Sequence, residues 1–233
     1  YGGKQAFIYA RDASSGAWST TAVAPLTSYT TMSGFGVSVA MTDNYAIVGA
    51  YTAGIAGTAG KAFIFGRDGS TWNTTAKVTI TSSISGFGRG VAITDSYAIV
   101  GAEGACKAFI YARDASGTWS TTAVASIDGP SGSGFGVSAS MTDRFAIVGA
   151  HSGNKAFVYA HDASTGAWGT TAAATFTGPA GSTKFGFDVW ISDSYAIVGT
   201  RDWGSGATPS NTAYIYARDE ATGTWGTAAV APL

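Results

Sequence analysis

The chain has 233 residues, with 13 lysines and arginines against 14 aspartates and glutamates, a net charge of −1 and a charged fraction of only 12%, about half the usual share. So neutral a surface offers no docking field to nucleic acid or to an anionic membrane, and no apolar run approaches the ~20 residues of a membrane-spanning helix. A single cysteine, Cys106, excludes an internal disulfide and leaves the compartment undecided; it reads as a small buried hydrophobe.

In chain order, the first apolar run is Ala6-Phe7-Ile8-Tyr9, followed by Arg11-Asp12, a turn and Trp18. From Phe35 a second kind of run begins. Phe35, Val37, Val39 and Met41 alternate with Gly36, Ser38 and Ala40, the period of two expected of a strand whose faces meet different neighbours. Thr42-Asp43-Asn44 is a tight polar turn, and Tyr45 to Val48 is a second strand. After a variable stretch, Lys61 to Gly66 forms a third strand, Arg67 to Ser70 turn the chain, and Trp72 to Ile80 form a fourth. Gly, Thr, Ser and β-branched residues abound and no helical periodicity competes, so the chain is all-β.

The same four runs recur. The third-strand phrase starts again at Ala62, Ala108, Ala156 and Ala213, and the first-strand phrase at Phe87, Phe135 and Phe185. A period of about 46 to 57 residues, four short strands to each, marks a β-propeller of four-stranded antiparallel blades. Strands two and three are nearly continuous apolar runs because neighbouring blades cover both their faces.

Phe-Gly at strand one, Ile-Val-Gly-Ala ending strand two, and Ala-Phe-Ile-Tyr in strand three together resemble the FG-GAP repeat of β-propellers, over essentially the whole chain. The resemblance is to a short variant. The integrin type carries an Asp-x-Asp-x-Asp-Gly calcium loop, whereas here that turn holds one acid, Asp43, Asp95, Asp143 or Asp193. One carboxylate cannot supply the roughly six to eight oxygens of a calcium site, so these aspartates are expected to form turns, with no metal and no cofactor. Four copies of strands one and two stand against five of strands three and four. The expected architecture is therefore a five-bladed propeller with one blade incomplete, within one domain. Residues 1–34 would give a half blade and 35–86, 87–134, 135–184 and 185–233 the repeat units. A segment of a six- or seven-bladed ring is the alternative. The opening Tyr1-Gly2-Gly3-Lys4 lies inside a blade, which is read as part of a longer precursor, and the free edge invites strand addition or self-association.

Residues that recur read as scaffold, and residues that break the recurrence as candidate site. Trp18, Trp72, Trp119, Trp168 and Trp225 recur as packing anchors, and Arg-Asp pairs as turn chemistry, with His161-Asp162 the departure. Turns after strands one and three should share one end of the blades, and the variable loops after strands two and four the other, where binding concentrates. On that face Tyr51, Glu103, His151 and Arg201 depart from one another. The unit from Phe185 is the most irregular. Trp190 replaces Ala40, Ala92 and Ser140, Asp188 replaces Ser38, Gly90 and Ser138, and a long loop adds Arg201, Asp202 and Trp203. A ring beside a carboxylate and a guanidinium suits a sugar face or a protein partner. Asn73-Thr74-Thr75 is a glycosylation sequon.

Catalysis lacks parts. Beyond the turn aspartates only Asp128, Asp188, Asp202, Glu103 and Glu220 remain, with two histidines and no Gly-x-Ser-x-Gly elbow. The expectation is an extracellular or cell-surface recognition propeller that binds a glycan or protein. The alternatives are a structural block of a fibre, wall or appendage and, behind it, a glycan-active enzyme.

Overall fold

A computed structural model describes residues 5–27, 34–52, 59–180, 182–201 and 212–232. They form antiparallel sheets in chain order. A half blade pairs β1 (Gln5–Ile8) with β2 (Ala24–Thr27). Blade two holds β3 (Phe35–Met41), β4 (Tyr45–Ala50) and β5 (Gly60–Asp68), a two-residue extension β6 (Thr71–Trp72), and the outer strand β7 (Val78–Ser82). Blade three is β8 (Phe87–Ile93), β9 (Tyr97–Ala102), β10 (Lys107–Ala112) and β11 (Ala125–Asp128). Blade four repeats the pattern with β12 (Phe135–Met141), β13 (Phe145–Ala150), β14 (Lys155–Asp162), the extension β15 (Ala167–Trp168) and β16 (Ala174–Thr177). Blade five is β17 (Asp188–Ile191), β18 (Tyr195–Gly199), β19 (Ala213–Ala217) and β20 (Ala231–Pro232). These are the expected four-stranded propeller blades. One expectation needs correcting: the tryptophans do not start the fourth strand. Trp72 pairs back on Arg67 and Trp168 on His161, extending strand three, and strand four begins six residues later, at Val78 and Ala174.

The register is the same from blade to blade. Tyr45 faces Gly66, Tyr97 faces Ala112, Phe145 faces Ala160 and Tyr195 faces Ala217 across strands two and three. In blades two, three and four, pairing of strand one with strand two shifts after the Phe-Gly phenylalanine, a bulge between Phe35 and Val39, Phe87 and Val91, and Phe135 and Ala139. The bulge bends the innermost strand away from its partner. Strand-one residues of four successive blades, including Val39, Val91, Ser138 and Asp188, line one central cleft, which is the axis of the propeller.

Three contacts join each of blades two, three and four to the next. The first explains the two glycines of the repeat. Gly88, Gly136 and Gly186 have φ of 86°, 92° and 85°, in the region glycine alone enters freely. Their carbonyls press on Gly49, Gly101 and Gly149 of the preceding blade, where a Cβ would sit 2.3, 2.1 and 2.0 Å from them. The second is a ring on a ring: Tyr45 meets Trp119, Tyr97 meets Trp168 and Phe145 meets Trp225, edge to face at 5.4, 5.4 and 5.5 Å. Those three tryptophans are buried, as packing anchors should be, while Trp18 is exposed.

The third contact corrects the reading of the Thr-Asp turns. The threonine closes its own turn, with Thr42 Oγ1 accepting the N–H groups of Asn44 and Tyr45. The aspartate serves the neighbour instead. Thr42 donates its hydroxyl to Asp95 of the next blade at 2.5 Å, Thr94 to Asp143 at 2.5 Å, and Thr142 to Asp193 at 2.7 Å. Each is a charge-assisted bond between blades. Of the aspartates in the Arg-Asp and His-Asp pairs, all but Asp68 close turns, and Asp68 accepts side-chain bonds from Asn73 and Lys77 instead. Asp12, Asp114, Asp162 and Asp219 each accept backbone N–H bonds from residues two to four ahead, and hydrogen bonds from Ser164 above all hold Asp162 at a pKa of about 2. Their arginines stack on the blade before: Arg113 over Tyr45 and Arg218 over Phe145.

Candidate functional site

Six residues on from the first residue of strand two, one equivalent position in four blades holds Tyr51, Glu103, His151 or Arg201, directly after the strand in three of them and one residue further on in blade five. Glu103 and His151 each open a single 3-10 turn, closed by Cys106 and Asn154 in the left-handed conformation. That turn lifts the side chain toward the end of the channel where the variable loops lie. Loops after strands two and four do meet there: Ser85 and Gly86, Glu103 to Cys106, Gly129 to Gly134, and His151 with Ser152 line one pocket beside Tyr51.

These four positions are joined by two residues at a second equivalent position, the one after Phe-Gly in strand one. Where blades two and four have Val37 and Val137, blade three has Arg89 and blade five Phe187. Arg89 lies over the Tyr51 ring of the preceding blade at 5.0 Å and donates from Nε to Glu103 Oε2 at 3.1 Å. Glu103 Oε1 is 3.6 Å from Nε2 of His151 in the next blade. The His151 ring meets Phe187 at 5.7 Å, edge to face, and Arg201 lies over Phe187 at 4.5 Å. A continuous chain of side chains, Tyr51, Arg89, Glu103, His151, Phe187 and Arg201, therefore runs across four blades at the mouth of the channel.

Its centre is half-buried. The side chains of Arg89, Glu103 and His151 expose 24%, 25% and 14%, so each charge is partly stripped of water and depends on its neighbours. Burial pushes the His151 imidazole below its ordinary value. Glu103 pulls it back up in part, and Lys184 and Arg89 push it down again. At the mouth Glu103 is matched by Arg89. Tyr51 and Phe187 add ring faces. The set can hydrogen-bond hydroxyls and carboxylates and cover an apolar face. Among the described residues no group of three or more His, Cys, Asp or Glu side chains is placed to hold a metal ion.

The sequence-selected residues fall into two groups. Tyr51, Glu103, His151 and Arg201 come together at the mouth. Asp188 and Trp190 lie lower, on the strand of blade five that lines the channel, in a cleft shared with Arg89 and Arg201. Both are exposed, on the face of blade five that the corresponding residues of the other blades turn toward their next neighbour. Asp202 and Trp203 lie outside the described residues. Asn73 is half-buried and donates its side-chain amide to Asp68 at 2.8 Å. Arg89 and Phe187 escaped the sequence reading, although the comparison that singled out Trp190 finds them: Val, Arg, Val, Phe varies as much as Ala, Ala, Ser, Trp does.

A model of the FG-GAP repeat matches residues 29–65, which places an FG-GAP repeat at the second of the sequence units and agrees with the propeller blades. No curated protein matches the chain. Among solved structures it is similar to a protein of unknown function from Desulfotomaculum acetoxidans DSM 771, at 15% identity and TM-score 0.59, over 89% of this chain and 58% of that one. It is also similar to a candidate 6-phosphogluconolactonase from Bacteroides uniformis ATCC 8492, at 13% identity and TM-score 0.62, over 96% of this chain and 63% of that one. The chain thus spans less than two thirds of either protein. At such identities the likeness is one of fold.

Proposed function

We propose that this FG-GAP propeller is a non-enzymatic recognition module of a secreted or cell-surface protein, which binds a glycan at the mouth of its channel. One observation supports this above others. At two equivalent positions the repeat abandons its own sequence, and the replacements form one partly exposed cluster of charge and aromatic rings across four blades. Arg89 and Glu103 are the residues to hydrogen-bond sugar hydroxyls, with Tyr51 and Phe187 the rings to cover a sugar face.

The 6-phosphogluconolactonase description of one structural neighbour suggests hydrolysis as a competing activity. The cluster argues against it. Glu103 is tied to Arg89 at 3.1 Å, and Asp128, the other carboxylate lining the same pocket, is paired with Lys107, so both acids beside His151 are already engaged. A protein partner at the same face is the remaining form of recognition. A structural role in a fibre or wall draws support from a different feature, the inner edge of the half blade, with which no described strand pairs.

The test is a glycan-array screen of the soluble chain, with mass by light scattering and 6-phosphogluconolactone hydrolysis measured on the same sample. Specific glycan retention by a monomer, with hydrolysis at background, is the expected result. Hydrolysis abolished by Glu103→Gln would contradict the non-catalytic reading, and ordered oligomers without glycan retention would favour assembly.

A further inference from the structure

At the turn end of the blades, opposite the mouth, the junction between blades four and five keeps the stacking contacts of the others and departs from them in the side chains around those contacts. Thr142 donates to Asp193, and Phe145 meets Trp225. The residue after the turn aspartate, however, is Arg144, where the other blades have Asn44, Ser96 and Ser194, and the ring that follows is Phe145, where they have Tyr45, Tyr97 and Tyr195. This junction therefore gains a guanidinium and loses a hydroxyl.

A third departure lies in the arginine of blade five. Its counterparts each donate to a backbone carbonyl: Arg11 from Nε to Gly16 at 2.9 Å, Arg67 from Nη1 to Asp43 at 3.3 Å, and Arg113 from Nε to Asp95 at 2.6 Å. Nε of Arg218 is buried and has no acceptor among the described residues. The Arg218 guanidinium lies over Phe145 at 5.1 Å, and that of Arg144 lies over the same ring at 5.5 Å. Both border a groove of about 430 Å³ between the two blades, with His161, Thr224 and Trp225 on its other sides.

Among the described residues no acidic side chain lines that groove. The acids nearby are engaged elsewhere. Asp193 is 3.7 Å from Arg144 and also takes the Thr142 hydroxyl, Asp219 is held by N–H groups of its own turn, and Glu220 takes the Ser194 hydroxyl. His161 is 3.1 Å from the Tyr97 hydroxyl. Two guanidiniums against one apolar ring repel each other, and one that is partly stripped of water and short of an acceptor is costly to hold.

We propose that this groove binds a sulfate or phosphate monoester, with the oxyanion between Arg144 and Arg218 and the body of the ligand along Phe145. A tetrahedral oxyanion presents three acceptor oxygens, so one group can meet guanidiniums that arrive from two blades, and it supplies the acceptor that Arg218 lacks. The groove has room for more than a bare ion, which suits an ester. Arg144 is 58% exposed and marks the way in. This site lies at the opposite end of the blades from the mouth and does not rest on glycan recognition there.

The probes are glucose 6-sulfate, glucose 6-phosphate and glucuronate, each titrated into the full chain and followed by NMR of the arginine Nε–H groups. Saturable shifts at Arg218 with one or both esters are expected, and the tighter of the two names the anion. Affinity should fall about tenfold in Arg144→Gln, where an exposed side chain is changed, and in Arg218→Lys, which keeps the charge and loses the planar fork. Lys77→Gln, an equal loss of charge on another blade, should leave affinity unchanged. No shift at Arg218 with either ester, affinity for glucuronate equal to that for the esters, or affinity unaltered in both arginine variants overturns the proposal. So do shifts confined to Arg89 and Arg201, which would place the anion at the channel mouth.

Discussion

The two ends of the blades are made from the same repeat and obey different rules. At the end of the Thr-Asp turns, three successive junctions use the same hydroxyl, carboxylate, aromatic ring and tryptophan, with geometry constant to within about 0.2 Å. At the other end, the equivalent position beyond strand two is a tyrosine, a glutamate, a histidine or an arginine, and the contacts between them are all different. A contact that every junction needs for stacking cannot vary without weakening the stack. A position that varies freely is one the stack does not need. Only the glycine contact is constant at the variable end, so the comparison assigns stability to the turn end and the glycine pairs and recognition to the side chains at the mouth, and it can be broken by substitution.

The largest effect should come from the core common to both ends. Phe135 is fully buried against Phe157 and Tyr159, and Phe135→Ala should cost about 3–5 kcal/mol of unfolding free energy, read from urea titration. Next is Gly149→Ala, whose Cβ would lie 2.0 Å from the Gly186 carbonyl and would force two blades apart, at about 1–3 kcal/mol. Asp143→Ala removes one junction bond at the constant end; because the site is open to solvent, about 1 kcal/mol is expected, with binding at the mouth unchanged.

Effects on stability should be smallest at the mouth. Glu103→Gln keeps the shape and one acceptor, so unfolding should shift by less than about 1 kcal/mol while ligand binding is lost. His151 adds a pH dependence. Its folded pKa is depressed below the ordinary 6.5, so the unfolded chain binds its proton more readily. The stability gained by burying the neutral ring is complete above 6.5 and is lost as pH falls below it. Comparing urea midpoints at pH 7.5 and 5.5 should show a drop that His151→Phe makes smaller.

Much of this was legible in the chain. Recurrence of Ala-Phe-Ile-Tyr and Phe-Gly set the strand order, the four-stranded blades and the half blade, because short-range periodicity and turn residues act locally. The Thr-Asp turn was misjudged because local chemistry was asked to explain a contact made with a residue about 50 positions away. Asp95 looks like a turn former until Thr42 of the neighbouring blade stands beside it at 2.5 Å. Distance in sequence hid the site in the same way. Tyr51, Glu103, His151 and Arg201 could be chosen one by one as irregular loop residues, but Arg89 sits in a strand that otherwise reads as scaffold. Only stacking of blades shows that its guanidinium bridges Tyr51 behind it and Glu103 beside it.

The most direct test of the division between the two ends is a matched pair, Glu103→Gln and Asp143→Ala, each compared with the parent chain on the same glycan array at a temperature where all three are folded. A glycan retained by the parent and by Asp143→Ala, and weakened tenfold or more by Glu103→Gln, is the predicted result. Equal loss in both variants, retention by both, or no glycan retained by the parent would contradict it.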